Sequence, residues 1–478
     1  MTDDVDQHFQ KLVDAGRPVG EVIGINNFLI EIKGLQPVST HSLVIFENGN
    51  KGFVQHILET RVTVLNLGSA QFKIGMLAAV GQEELTAKVG KDFIGRVVSV
   101  SGDPLDGKGP IAADANWPVF GPAPPIYERE LLNTQLETGV TLIDCLFPIV
   151  RGQRLAILGD SKSGKSTLAT QIAINQRSTD QIVIYVMIAK RRSDIDILLQ
   201  RLSDSGVMDK TIVVVSTIFD SLVSSYLAPY TACAMAEYLW QVVGQDALLI
   251  YDDLTAHAHV YREISLLSGV SPGRDSYPGD IFHAHSSLLE RAGKLKKNHK
   301  SLTVLPLVLT ESGDISSYLP TNIMSITDGQ WVLDMEVFRS GLRPAVNVGL
   351  SVTRVGAVGQ NEHQRWQASQ VFKILADYRK AQEFTHFGAE MTLTTQQLLT
   401  IGAQINQLFT QIPGETYGLL AEQLMLDSLL SGNVPGSLNI NTLKKLANDT
   451  AAAAKPGSDY QNLLAAIKSG FGAQGTAS

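Results

Sequence analysis

Gly159-Asp160-Ser161-Lys162-Ser163-Gly164-Lys165-Ser166 follows the apolar run Leu155-Ala156-Ile157-Leu158, and this junction constrains the fold more tightly than any other part of the chain. It fits the P-loop pattern G-x-x-x-x-G-K-[ST]. A short apolar strand leads in, and Ser166-Thr167-Leu168-Ala169-Thr170-Gln171-Ile172-Ala173-Ile174 reads as the helix leading out. The glycines let consecutive backbone N–H groups turn toward a polyphosphate at a helix N-terminus, where the helix dipole favours negative charge. Lys165 then reaches the β- and γ-phosphates and the Ser166 hydroxyl ligates Mg²⁺, so Gly159 through Thr167 form the expected cradle for ATP or ADP. A Gly-rich surface turn is the bland alternative. The strand before and the helix after argue against it.

Working outward, residues 247–251 form an apolar strand that ends in Asp252-Asp253. Such a strand delivers a carboxylate to the magnesium shell from the C-terminal edge of a parallel sheet, and Asp252 is the expected residue. Asp253 serves equally well as a cap for the following helix. Hydrolysis also needs a carboxylate or amide that orients the attacking water. Its natural place is the tip of the strand at 182–188, which runs into Ala189-Lys190-Arg191-Arg192. Those residues are cationic and cannot act as a carboxylate base; a solvated basic loop is the plain alternative. With further strands at 154–158, 211–216 and 301–309, the middle of the chain alternates strands and helices, the pattern of a parallel α/β sheet.

The 478 residues allow two to four domains, and the 44% apolar and 18% charged fractions are those of an ordinary globular protein. A net charge of −8 lowers the expectation of a nucleic acid partner. No apolar run reaches the roughly 18 to 20 residues that span a bilayer. The acidic start Met1-Thr2-Asp3-Asp4-Val5-Asp6 lacks the marks of a signal or transit peptide. Cys145 and Cys233 sit in apolar surroundings and read as buried thiols of a reducing, cytoplasmic compartment.

Four regions follow. Residues 1–18 carry Val5, Phe9, Leu12 and Val13 on one face of a short amphipathic helix, too short to stand alone and expected to dock on its own domain or on a partner. Residues 19–90 break into short strands at 21–25, 28–32, 43–46 and 61–65, with Asn48-Gly49 as a hairpin signal, which implies a small β-barrel. Residues 91–361 hold the α/β domain, and 362–478 become helical, with Leu398, Ile401, Ile405, Leu408 and Phe409 on one apolar face. From Ala451 onward the Ala, Gly and Ser content predicts a frayed tail.

Taken in this order, the chain resembles the alpha subunits of F-type ATP synthases, from Gly20 to about Gly432. The most specific stretch is Leu342-Arg343-Pro344-Ala345-Val346-Asn347-Val348-Gly349-Leu350-Ser351-Val352-Thr353-Arg354-Val355-Gly356. It follows the alpha-type R-P-A-[IV]-N-V-G-[IL]-S-V-S-R-V-G segment, with Thr353 for the usual Ser. Pro272 to Asp280, Leu288-Leu289-Glu290-Arg291-Ala292, Ile250-Tyr251-Asp252-Asp253-Leu254 and Phe384-Thr385-His386-Phe387-Gly388 are alpha-like too. The resemblance implies an N-terminal β-barrel, a central RecA-like P-loop domain and a C-terminal helical domain. It implies MgATP at a non-catalytic site, with Gly164, Lys165 and Ser166 on the phosphates and Asp252 in the magnesium shell. Phe338, Arg343 and Gln411 would line the nucleotide's adenine and ribose side. Arg354 matches the arginine finger that reaches into a neighbouring beta subunit. The implied partners are the beta subunit in an alternating three-plus-three ring, the gamma subunit of the central stalk and the delta subunit of the peripheral stalk. Membrane contact would come only through the membrane sector, on the cytoplasmic face of the inner membrane.

The chain departs from this family at informative places. Alpha subunits carry Arg-Gln-Thr inside the P-loop, where this chain has Ser161-Lys162-Ser163. They carry Gln where the beta subunit has its catalytic Glu, and here that position is Lys190. A cation there competes with Mg²⁺ or pairs with a phosphate oxygen. Around Gln411 the run Thr410-Gln411-Ile412-Pro413-Gly414-Glu415 does not align cleanly. Two other readings stay open: a self-sufficient ring ATPase of secretion or helicase type, and a divergent paralogue that keeps the ring in another machine. The first needs a catalytic carboxylate near Lys190.

Overall fold

A computed structural model describes the chain except for residues 1, 69–70, 387–391, 432–438, 456 and 476–478. Phe387, Gly388 and Gly432, named above, therefore lie outside the described residues, as does the side chain of Val5. The chain divides into two compact units. One comprises Met1–Glu128, Ile182–Leu199 and Met208–Arg291; the other Arg129–Gln181, Gln200–Val207 and Ala292–Ser478.

The first unit opens with the helix Thr2–Asp14. Six strands follow: β1 (Val19–Asn26), β2 (Leu29–Lys33), β3 (Leu43–Phe46), β4 (Lys51–Ile57), β5 (Val62–Asn66) and β6 (Leu77–Gln82). They close into a barrel in the order β1-β2-β5-β4-β3-β6, with β6 pairing back to β1. Alternation drives the closure: in β2, Ile30 and Ile32 are buried while Glu31 and Lys33 turn outward. Val22, Val44, Phe46, Val54, Val64 and Val80 fill the same interior. Asn48-Gly49 makes the predicted hairpin between β3 and β4, with Gly49 at φ 79°. The strands placed from sequence do not include β6, and β4 is implied only by the hairpin signal. Gly52, Gln55 and His56 in one and the paired alanines of the other dilute the β signal. Gly52 is required by closeness, because a Cβ there would lie 2.5 Å from Val64. The N-terminal helix sets Phe9, Leu12 and Val13 against Ile45, Ala79 and Val19 on the barrel wall. Its partner is its own barrel.

The same unit holds four parallel strands. Val97–Ser99 pairs with Thr211–Thr217, that strand with Ile182–Lys190, and that in turn with Ala247–Asp252. The last three are almost wholly buried, which is why they read as continuous apolar runs. Leu222–Tyr238 and Leu254–Leu267 are helices of this unit. Within it, Arg291 of the Leu-Leu-Glu-Arg-Ala segment is clamped to Glu237 by two bonds of 2.8 and 2.5 Å.

In the second unit the strand Ala156–Gly159 lies between Ser301–Leu309 and Gly329–Leu333, all parallel. Val352–Thr353 closes the edge antiparallel to Gly329–Leu333. The C-terminal part is helical, as expected: Glu362–His386, Leu393–Phe409, Leu419–Leu430, Ile440–Ala453 and Tyr460–Gly475. On Leu393–Phe409, Ile405, Leu408 and Phe409 are buried, while Leu398 and Ile401 are half-buried. Gly402 permits a close helix crossing, since a Cβ there would stand 2.3 Å from the Tyr378 ring.

The frayed tail from Ala451 onward is a correction. The preceding helix runs to Ala453, and Tyr460–Gly475 forms a further helix. Ile467 is buried, and Gly470 brings that helix against Leu446. Tyr460 donates to Asp427 Oδ2 at 2.7 Å, an acceptor it shares with His363 at 2.6 Å. Alanine-rich composition lowers hydrophobicity, yet it suits a helix once one face has something to pack on. No helix among the described residues is long and apolar enough to cross a membrane.

Candidate nucleotide-binding site

The P-loop lies in the second unit and the acid-tipped strand in the first. In the second, the strand Ala156–Gly159 ends in the P-loop, and the helix Lys165–Asn175 starts directly after it. Gly164 caps that helix at φ 102°, a left-handed conformation that glycine takes without strain. Gly159 is held by closeness: a Cβ would meet Ser163 Oγ at 2.6 Å and the Leu333 carbonyl at 2.7 Å. Lys165 is buried and its Nζ donates to the Gly159 and Asp160 carbonyls at 2.7 and 2.8 Å, so the ammonium lies across the loop. Ser161, Lys162 and Ser166 are exposed, Thr167 is half-buried and Ser163 is buried. Asp160 ties the loop to the neighbouring strand, because its Oδ1 accepts from Thr310 Oγ1 at 2.6 Å and from the Gly313 N–H at 2.8 Å. Sequence reading missed Thr310. Its signal was its place just past the C-terminal end of a central strand, where open α/β sheets bind ligands.

Arg343 lies with its guanidinium carbon 3.5 Å over the Phe338 ring and donates to the Phe338 and Leu342 carbonyls at 2.5 and 2.8 Å. The two residues predicted together are thus in contact as a cation–π pair. Gln411 behaves differently. It is buried, its Nε2 donates to the Gly139 and Glu415 carbonyls, both at 2.9 Å, and its Oε1 accepts from the Thr141 N–H at 2.8 Å. With both amide protons spent on backbone, Gln411 braces residues 139–141 and has no donor left for a base. Arg354 is exposed beyond the edge strand Val352–Thr353. Its N–H donates to the Asp328 carbonyl at 3.0 Å, and its guanidinium reaches the Thr327 carbonyl at a long 3.4 Å.

In the first unit, Ala247–Asp252 delivers the two acids as expected. Asp253 Oδ1 caps the helix Leu254–Leu267 by accepting from the Ala256 N–H at 2.7 Å. Lys190, last residue of Ile182–Lys190, is no member of a solvated basic loop; Arg191 and Arg192 are exposed, but its own side chain is 19% exposed. Its Nζ stands 2.6 Å from Asp252 Oδ1 and 3.0 Å from Asp253 Oδ2. Burial works against its charge, yet the two carboxylates outweigh that and hold the ammonium protonated well above the ordinary lysine range. Tyr185, also missed from sequence, donates its hydroxyl to Asp252 Oδ2 at 3.1 Å. It was legible as the sole phenol in the apolar run 182–188.

The residues proposed for Mg²⁺ fit that ion unequally. Ser166 offers an exposed hydroxyl at a helix start. Asp252 is 4% exposed, and both its oxygens are engaged, one by an ammonium.

A family model for the ATP synthase alpha/beta family, nucleotide-binding domain, matches residues 139–353. A protein of Neorickettsia sennetsu named ATP synthase subunit alpha is 41% identical over 419 residues, covering 85% of this chain and 82% of its own. The chain belongs to the ATP synthase alpha/beta family. Two further members with the same name, from Caldanaerobacter subterraneus and Dehalococcoides mccartyi, are 42% and 41% identical and cover 82% and 87% of the chain. The relatives match over 78% and 83% of their own lengths, so the likeness extends beyond the nucleotide-binding domain. For a family member, a nucleotide at the P-loop is the expected ligand, and the barrel, α/β and helical regions follow the expected order.

Proposed function

We propose that this chain is the nucleotide-holding alpha subunit of a rotary ATP synthase, which binds ATP at its P-loop without turning it over and serves catalysis in a neighbouring beta subunit. One observation carries the non-hydrolysing half of this reading. Where hydrolysis needs a carboxylate at the tip of Ile182–Lys190, the chain presents an ammonium bound to two acids. An ammonium so held cannot accept a proton from water. Lys165, Gly164 and the helix start supply the phosphate cradle, and Ser166 a hydroxyl that would ligate a metal bound with the phosphates. Arg343 and Phe338 form the base side. Arg354, exposed at its edge strand, is the group offered to the partner.

The remaining parts of the reading rest on the resemblance to alpha subunits, which the relatives' names support. Beta subunits alternate with this chain in a three-plus-three ring, gamma fills the axis and delta joins the peripheral stalk. The complex sits peripherally on a membrane and couples ATP synthesis or hydrolysis to ion flow. In this reading the helix at 1–18, the barrel at 19–90, the nucleotide domain at 91–361 and the helical domain at 362–478 are the divisions of the chain. A second reading, a divergent paralogue in another ring machine, is favoured by Ser161-Lys162-Ser163 and Lys190, where the chain leaves the family pattern.

The purified chain alone is expected to bind ATP yet show turnover far below about 1 s⁻¹, the low end of ordinary enzyme rates. A coupled assay of phosphate release checks this. Sustained release at or above that rate would sink the non-hydrolysing reading. Copurification with a beta subunit and a central-stalk protein separates the synthase from the paralogue.

A further inference from the structure

We infer that Lys190 is a built-in cation that stands in for magnesium at the acid pair, so that this chain holds ATP without requiring a divalent metal. The inference rests on the nucleotide-binding reading above and deepens it.

Each oxygen of the acid pair has a protein group beside it, Asp252 Oδ1 through an ion pair and the other three through hydrogen bonds. Asp252 Oδ1 meets the Lys190 ammonium at 2.6 Å and Oδ2 the Tyr185 hydroxyl at 3.1 Å. Asp253 Oδ2 meets the same ammonium at 3.0 Å, and Oδ1 the Ala256 N–H at 2.7 Å. A magnesium ion demands near-octahedral oxygen donors, retains most of its waters, and is held by one or two carboxylates plus phosphates. Here the first carboxylate already faces a cation, and a divalent ion beside that cation meets repulsion little screened by solvent. Displacing the ammonium from both acids would strand a mostly buried charge.

A second observation shows that this placement is imposed by the fold. Lys190 reaches the acids because Ala189 adopts φ 49°, and the ladder to Thr211–Thr217 shifts register between Met187 and Lys190. Alanine rarely takes the left-handed region, so surrounding structure holds it there. The turn directs the strand's last side chain over the neighbouring strand's acids. Two bare carboxylates side by side repel each other unless a cation neutralises them. A magnesium ion ordinarily supplies that charge in P-loop proteins; here the Lys190 ammonium, in the same unit as both acids, supplies it.

Equilibrium dialysis of labelled ATP against the full chain, with excess EDTA and then with excess Mg²⁺, tests this. The wild-type dissociation constants are expected to agree within about threefold, while Lys190→Gln binds about tenfold or more tightly with Mg²⁺ than with EDTA. Lys190→Arg, which keeps the charge, retains the metal-independent behaviour. ATP binding by the wild type only when Mg²⁺ is present overturns the inference and leaves the nucleotide reading standing. No binding under either condition overturns both. A folded Lys190→Gln chain that ignores Mg²⁺ as the wild type does removes Lys190 from the explanation. Should that variant melt before the assay temperature, the wild-type comparison and Lys190→Arg still decide.

Discussion

Replacing Arg354 by Ala is expected to leave ATP binding by this chain nearly intact while cutting multisite turnover of the assembled ring by about 10³ to 10⁵. The expectation comes from chemistry and placement together. A guanidinium offers a planar fork of donors that matches the charge spread over a transferring phosphoryl group, and it stays charged at any working pH. Arg354 is exposed, follows the edge strand Val352–Thr353, and among the described residues its guanidinium makes one long bond, 3.4 Å to the Thr327 carbonyl. Its backbone N–H, bonded to the Asp328 carbonyl, survives substitution, so the strand end keeps its shape. Nucleotide binding measured on the isolated chain and steady-state hydrolysis measured on the reconstituted complex separate the two effects. Unchanged hydrolysis would remove Arg354 from the finger role; lost binding by the chain alone would place it in this chain's own site.

Arg291→Ala is expected to destabilise the protein by about 3–5 kcal/mol, the cost of leaving one member of a buried ion pair uncompensated. Arg291 and Glu237 have side chains only 1% and 3% exposed. The guanidinium makes two bonds to the carboxylate and a third to the Val119 carbonyl at 2.7 Å. Trp117 Nε1 donates to the same Glu237 carboxylate at 3.1 Å. Truncation therefore strands a carboxylate in an apolar interior. Urea unfolding gives the measure, as a lowered midpoint with little change in slope. The paired variant Arg291→Met with Glu237→Leu should recover much of the loss, since apolar replacement of both partners is often neutral. Equal damage from the single and double changes would show that the pair's worth lies in its hydrogen bonds to Val119 and Trp117, not in its charges.

The two predictions differ in how far the sequence alone could reach. Arg354 could be singled out as a candidate because the segment from Arg343 to Gly356 follows a family pattern at every position but Thr353. The P-loop and the strand ending in Asp252-Asp253 were legible for a related reason. Their chemistry lives in spacing of a few residues, and strand–turn–helix signals stand beside them. The barrel was foreseen through short, evenly spaced strands, yet β4 was implied only by its hairpin and β6 was not placed, because glycine, alanine and polar residues occupy them, held by neighbours across the sheet. The helix Tyr460–Gly475 escaped because its composition suggests fraying, while its stability comes from Leu446, Asp427 and His363, each distant in sequence.

The amino-acid order thus settled which groups are present and which local frames carry them: a phosphate loop, an acid-tipped strand, a cation where a base would stand, and an exposed arginine at a strand end. It could not settle what those groups touch. That Gln411 spends its amide on residues 139–141, and that Lys190 closes on the acids of a strand some sixty residues away, followed only from folding. Ion pairs and hydrogen bonds depend on separations of a few tenths of an ångström. Those separations are fixed by sheet register and by the left-handed turn at Ala189, and no local pattern in the chain encodes them.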